Sequence, residues 1–160
     1  IDISKNYPAF FHGKNSTFLL KSNINNIGVM LDPKKWSFNK SASDDSEYEF
    51  ELKNQELYGL MINEKVEIPL ESLKEMAFYN FDFAANDANV LEQEHRYIND
   101  LLVLKIHMQG TIDGISVFYY GYYFSGADGT TQFITYSTTN LFEYYKNEAE
   151  LFLNGLVELN

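Results

Sequence analysis

Between Leu101 and Thr138 the chain reads LLVLKIHMQGTI, ISVFYYGYYFS and TTQFITYST, three apolar and aromatic runs separated by Asp113-Gly114 and by Gly126-Ala127-Asp128-Gly129. Asp-Gly supplies the positive φ angles that a tight hairpin turn needs, so between such runs it is a strong local signal for antiparallel strands. Asn99-Asp100 breaks the pattern in the same way one strand earlier and adds a strand over about Asn89–Ile98. Four consecutive antiparallel strands present two faces, and the rest of the chain has to cover them.

Two-residue turns also set the register. A turn at Asn99-Asp100 places Glu94 opposite Lys105 and Glu92 opposite His107, and a turn at Asp113-Gly114 places Met108 opposite Tyr119, His107 opposite Tyr120 and Lys105 opposite Tyr122. The first face then carries Leu91, Tyr97, Leu102, Leu104, Ile106, Met108, Tyr119, Tyr123, Ile134 and Tyr136 and is read as core. The second face mixes Glu92, Glu94, Arg96, Lys105 and His107 with Val103, Phe118, Tyr120, Tyr122, Phe124 and Phe133. A water-facing sheet surface is plainly polar, so a face this aromatic is expected to be covered too.

Two helices are available for the two faces. Pro69 suits a first helical position, and Leu70, Leu73, Ala77 and Phe81 follow at helical spacing, predicting a helix over about Leu70–Phe83. Leu141, Phe142, Tyr145, Ala149, Phe152 and Leu153 form one stripe, with Asn140 as cap and Gly155 as stop, predicting a helix over Leu141–Asn154. The expected architecture is α+β, a three-layer α/β/α sandwich around a central antiparallel sheet. The C-terminal helix is expected on the more apolar face and the Leu70–Phe83 helix over Tyr120 and Tyr122. Upstream, Thr17–Lys21 and Ile27–Leu31 read as a hairpin, Trp36 as core, Glu47–Leu52 as a half-buried strand with Glu47, Glu49 and Glu51 outward, and Leu57–Val66 as a further strand. The LVEL tail suits a last short strand. Residues 1–15 lack periodicity and are expected to be a linker or loosely docked arm, leaving 16–160 as a single domain.

Composition narrows the function. Twelve basic against 23 acidic side chains give a formal charge of −11, which repels phosphate backbones and anionic membranes, so nucleic acid is not an expected partner. No run reaches the roughly 20 apolar residues of a membrane helix. With no cysteine, thiolate chemistry and Cys-ligated zinc are excluded and the redox compartment is left open. The chain begins at Ile1 rather than Met, so it is expected to be the domain of a longer protein that carries a signal peptide, a lipoprotein tether or another domain, and an extracytoplasmic location is preferred.

No catalytic motif emerges. There is no G-x-S-x-G elbow, H-E-x-x-H, EF-hand loop, P-loop or dinucleotide fingerprint, and the three histidines, His12, His95 and His107, are scattered, so no cofactor and no metal are expected. His95 reads as a core histidine, and His107 opposite Glu92 as a cross-strand polar pair. The run Asp44, Asp45, Glu47, Glu49, Glu51 reads as solvated acid that also shields an edge, a basic partner being the alternative. The sequons at Asn15 and Asn39 are chance-level matches.

An N-terminal hairpin, Pro33-Lys34-Lys35-Trp36, a second hairpin, the helix opened by PLESLKEMA, a meander with TIDG and YYF…DG…F, and a closing aromatic helix before LVEL together resemble the PsbP-like family, over roughly Thr17–Leu159. That family includes the PsbP subunit of photosystem II, Ran-binding Mog proteins and related bacterial domains. The resemblance implies an α/β/α sandwich and a non-enzymatic role in binding or assembly on another protein, and it transfers no site residue. The competing expectation is a small-molecule-binding or enzymatic domain with a pocket on the second sheet face, rimmed by Glu92, His107, Tyr120 and Tyr122.

Overall fold

The computed structural model describes residues 6–159. In chain order the elements are β1 (Ala9–Phe10), β2 (Phe18–Lys21), β3 (Ile27–Leu31), β4 (Trp36–Lys40), β5 (Tyr48–Leu52), β6 (Tyr58–Glu64), α1 (Leu70–Ala84), β7 (Asn86–Ile98), β8 (Leu101–Ile112), β9 (Ile115–Gly126), β10 (Gly129–Thr138), α2 (Phe142–Leu153) entered through a 3-10 turn at Thr139–Leu141, and β11 (Leu156–Glu158). The chain is mixed α+β, mostly sheet. An eight-stranded sheet has the order β1-β7-β8-β9-β10-β6-β5-β4, and a three-stranded sheet the order β11-β3-β2.

The turns behave as their residues require. Asn99 and Asp100 take φ of 49° and 66°, and Asp113 and Gly114 take 52° and 80°. Positive φ at both central positions gives a turn whose twist matches that of the strands. The register follows: Glu94 faces Lys105, Glu92 faces His107, Met108 faces Tyr119 and Lys105 faces Tyr122. A bulge between Val90 and Glu92 breaks the alternation, so Leu91, expected on the core face, is 48% exposed.

Two apolar clusters form, one on each face of the large sheet. Leu73, Ala77 and Phe81 of α1 pack with Leu104, Ile106, Met108, Tyr123 and Ile134. Tyr145, Ala149, Phe152 and Leu153 of α2 pack with Tyr120, Tyr122 and Phe133, joined by Ile27, Val29 and Leu156 of the small sheet. The helices therefore sit on the faces opposite to those expected. Polarity explains the exchange: the second face carries Arg96 and Lys105, and only α2 offers inward-facing polar partners, whereas the buried side chains of α1 are all apolar. The small sheet shares the cover of the second face with α2, a role that helix counting alone does not anticipate.

The N-terminal arm falls partly on residues 1–5, outside the described residues. From Ala9 it is paired: Ala9–Phe10 adds to β7 as a short parallel strand, and the Phe10 ring lies 4.8 Å below the Arg96 guanidinium. Glu47, expected outward with Glu49 and Glu51, is buried; its carboxylate accepts hydrogen bonds from Ser22 Oγ (2.7 Å), the Asn23 amide (2.7 Å) and Asn63 Nδ2 (2.8 Å). It precedes β5 and so escapes the alternation of that strand, tying the β2–β3 loop to the large sheet.

Phe152 holds the second face together. Its ring stacks 3.8 Å from Trp36 and meets Phe133 at 4.8 Å and Phe50 at 5.1 Å. Phe152→Ala is expected to cost about 3–5 kcal/mol in chemical denaturation. On the other face Tyr123 is fully buried and its hydroxyl has no hydrogen-bond partner, so Tyr123→Phe is expected to raise stability by about 1 kcal/mol in the same assay.

Candidate functional site

The residues singled out on the second face are drawn together, but under a lid. Tyr120 and Tyr122 have no exposed surface. The Tyr120 hydroxyl donates to Glu150, and the Tyr122 hydroxyl donates to Asn154 Oδ1 at 2.6 Å while accepting from Arg96 Nη1 at 3.0 Å. Arg96 also reaches Glu94 at 2.6 Å and Glu150 at 3.3 Å. Burial pushes the Tyr122 phenol up to about 12 even beside the guanidinium. Burial alone would lower the Arg96 pKa, yet its bonds to Glu94 and Tyr122 and the Glu150 charge hold it above its ordinary value. This is a satisfied polar network that fastens α2 to the sheet, the condition under which a buried charge is tolerated.

Glu92 and His107 lie at the edge of that network. Lys105, nearly buried, bonds to the exposed Glu92 carboxylate and sits 5.6 Å over the Tyr120 ring. His107 stacks on Phe142 at 4.1 Å and meets Tyr120 edge-on at 5.5 Å, and its Nε2 is buried without a hydrogen-bond partner. Opposite it in register, Glu92 bonds to Lys105 instead. Burial, reinforced by Lys105 and Lys146, pulls the His107 pKa down to about 4. His95 is half-buried and stacks on Tyr7 at 5.0 Å, while His12 is exposed. Among the described residues no three His, Asp or Glu side chains come together as a metal site.

The open surface lies on the other face. α1 packs mainly against β7, β8 and β9 and reaches β10 at Ile134. Adjacent strands stand about 4.8 Å apart and a helix is about 10 Å wide, so one helix cannot span eight strands. Beyond α1 the floor consists of Tyr119, Tyr136, Tyr58 and Leu60, each only partly buried, then Glu49 and Glu51, which are exposed. The tyrosines form a ladder, Tyr119–Tyr136 at 5.6 Å and Tyr136–Tyr58 at 5.7 Å, with Phe81 of α1 4.7 Å from Tyr119. A hollow of about 380 Å³ lies over Tyr58, Val117, Tyr119 and Tyr136. It adjoins one of about 230 Å³ over Glu49, Glu51 and Tyr58, and one of about 180 Å³ between α1 and Leu60, Ile62 and Ile134.

The sequence reading places Tyr119 and Tyr136 on this face but counts them as core. The missed signal is strand number: β4, β5 and β6 widen the sheet well past the reach of a single 15-residue helix. A separate cleft of about 240 Å³ lies beside the N-terminal arm, lined by Trp36 and Phe152. Lys35 and Glu148 at its rim neutralise each other in a 2.8 Å ion pair.

The histidine gives this region a pH signature. The unfolded chain takes up a proton on His107 below its ordinary value of 6.5, whereas the folded chain resists until about 4. Stability present above pH 6.5 is therefore lost as pH falls from 6.5 towards 4, by on the order of 3 kcal/mol from this group. His107→Phe, which keeps the stack on Phe142, is expected to flatten that part of the stability profile relative to the parent when denaturation midpoints are compared across this range.

No protein-family model and no curated protein sequence matches the chain. Solved structures do. The cyanobacterial PsbP protein CyanoP from Synechocystis superposes with a TM-score of 0.63 at 11% identity, covering 91% of this chain and 94% of that one. LpqN, involved in cell envelope biogenesis of Mycobacterium tuberculosis, gives 0.59 at 6% identity, covering 89% and 90%. A protein of unknown function from Pseudomonas aeruginosa gives 0.57 at 8% identity, covering 89% and 97%. At these identities the likeness is one of fold, and the chain has the PsbP-like fold that its sequence pattern resembles.

Proposed function

We propose that this is a non-catalytic binding or assembly domain that acts through contact with another protein, and that its docking surface is the uncovered half of the sheet beside α1. The observation that carries the reading is the tyrosine ladder Tyr119–Tyr136–Tyr58, partly exposed on a flat floor of β-structure where a soluble domain ordinarily places plain polar residues. Aromatic rings of this kind are the side chains that protein interfaces favour. The three-layer α/β/α description fits this role, because it leaves one outer layer incomplete. We read 16–160 as the single domain and 1–15 as its arm, within a longer exported or tethered protein. The cell-envelope role in the description of LpqN supports that placement.

The rival, a ligand pocket on Glu92, His107, Tyr120 and Tyr122, asks more of the molecule. A ligand on the two tyrosines requires α2 to lift and surrender the bonds of Glu150 and Asn154. Only Glu92 and one edge of His107 are open to a partner without that change.

The test is a photo-crosslink from the intact protein in its own host, with p-benzoylphenylalanine at Tyr58 or Ile115 and, as control, at Tyr144, which is 75% exposed on α2. Adducts to one defined protein from the first two positions and none from Tyr144 are expected, with the purified pair binding directly. Equal adducts from all three, or none from Tyr58 and Ile115, would overturn the assignment.

A further inference from the structure

The open half of the sheet grades from charge to grease in a fixed direction. By register, one row across the strands runs Ser37–Glu51–Tyr58–Tyr136–Tyr119, and the next runs Asn39–Glu49–Leu60–Ile134. Each passes from a carboxylate on β5 to aromatic or aliphatic side chains on β6 and β10. Glu56 and Asp113 close the far end of the larger hollow. No Lys or Arg lines either hollow over this floor, and among the described residues none of these four carboxylates has an ion-pair partner.

The trough also has a wall. Met76, Tyr79 and Phe83 of α1 are 43%, 67% and 86% exposed. Their spacing puts them on one helix flank. That flank adjoins Asn80 and Ala84, which line the hollow between α1 and β6. From the Ile134 contact under α1 to the sheet edge, strands β10, β6, β5 and β4 span about 15–19 Å, room for one helix of about 10 Å and not for two.

We propose that the trough takes a basic amphipathic helix of a partner protein, laid beside α1. Its apolar face rests on Leu60, Tyr136 and the α1 flank, and its Lys or Arg side chains lie over Tyr58 and against Glu49 and Glu51. The inference rests on the docking surface proposed above and adds the chemistry of its occupant. Tyrosine faces attract cations, and unpaired carboxylates beside them set the sign of the partner. A second copy of the chain is the wrong occupant: at a net charge of −11 it brings acid to acid.

The probe is a set of three model helices of about 18 residues, some five turns, sharing one leucine face and carrying Lys, Gln or Glu on the other. Each is titrated into the purified chain by calorimetry, and its site is mapped by amide chemical shifts. The Lys helix is expected to bind with shifts at Tyr58, Leu60 and Tyr136, about tenfold or more tighter than the Gln helix, with an affinity that falls as salt is raised. A Glu49→Gln, Glu51→Gln double variant is expected to lose about tenfold for the Lys helix at an unchanged melting temperature, since both side chains are exposed. Equal binding of the Lys and Gln helices in the trough would overturn the cationic partner and leave the docking surface standing. Shifts confined to the Asp44–Asp45 loop, or no binding by any helix, would overturn the helical occupant, while the crosslink from Tyr58 judges the surface independently. A concentration-dependent dimer that covers Tyr58 and Tyr136 would assign the trough to a second copy instead.

Discussion

One buried guanidinium decides where the helices go. Arg96 is 7% exposed and lies between the large sheet and α2. A charge in that position is tolerated only with full pairing, and leaving it without partners would cost several kcal/mol. Glu94 beside it on β7, Tyr122 across the sheet and Glu150 on α2 supply the pairing, and Asn154 closes the chain by accepting from Tyr122. α2 is thereby held on the second face. Its far end is anchored by the Asn99 side chain, whose amide donates to the carbonyls of Asn154 and Leu156 at 2.8 Å each. Met30 then accommodates Gly155 so closely that a Cβ there would lie 2.0 Å from its carbonyl oxygen, and the chain can pass into β11 only with glycine at this point.

That assignment has a consequence for the opposite face. With α2 and the small sheet committed to the second face, α1 is the only helix among the described residues left for the first, and it covers the strands nearest to its own connection into β7. The open tyrosine floor is thus a result of how the cover is distributed and not an isolated surface feature. The similarity to CyanoP and LpqN, at 11% and 6% identity, concerns this framework of strands and helices and not the side chains that line the floor.

Much of the framework is legible in local chemistry. Asn99-Asp100 and Asp113-Gly114 announce their turns, the turns dictate the register, and Tyr145, Ala149 and Phe152 announce the buried stripe of α2. What the local pattern does not carry is non-local. Leu91 is displaced by a bulge that no alternation pattern reveals, and Glu47 is buried because Ser22, Asn23 and Asn63 converge on it from distant strands. The choice of face for each helix depends on whether its inward side offers acids to Arg96 and Lys105. Glu150 and Asn154 decide it, although both lie just outside the apolar positions of the packing stripe. For the same reason Tyr120 and Tyr122 read as an open site: their exposure depends on Glu150 and Asn154, 30 and 32 residues further along the chain.

The arrangement of charge on the open floor reconciles two demands. A flat aromatic surface with β-structure beneath it invites indiscriminate self-association, the hazard that exposed sheet regions commonly meet with charged residues. Glu49 and Glu51 alternate with the buried Tyr48, Phe50 and Leu52, so the same strand that anchors the core on one side lays carboxylates beside the tyrosines on the other. Two copies approaching floor to floor would bring these carboxylates together in a surface of increasing desolvation, where like charges repel most strongly. A cationic surface meets the opposite sign and loses nothing of the aromatic contact. The acids therefore act as a filter on the apolar floor, and the single alternating strand Tyr48–Leu52 supplies both the filter and part of the core that keeps it rigid.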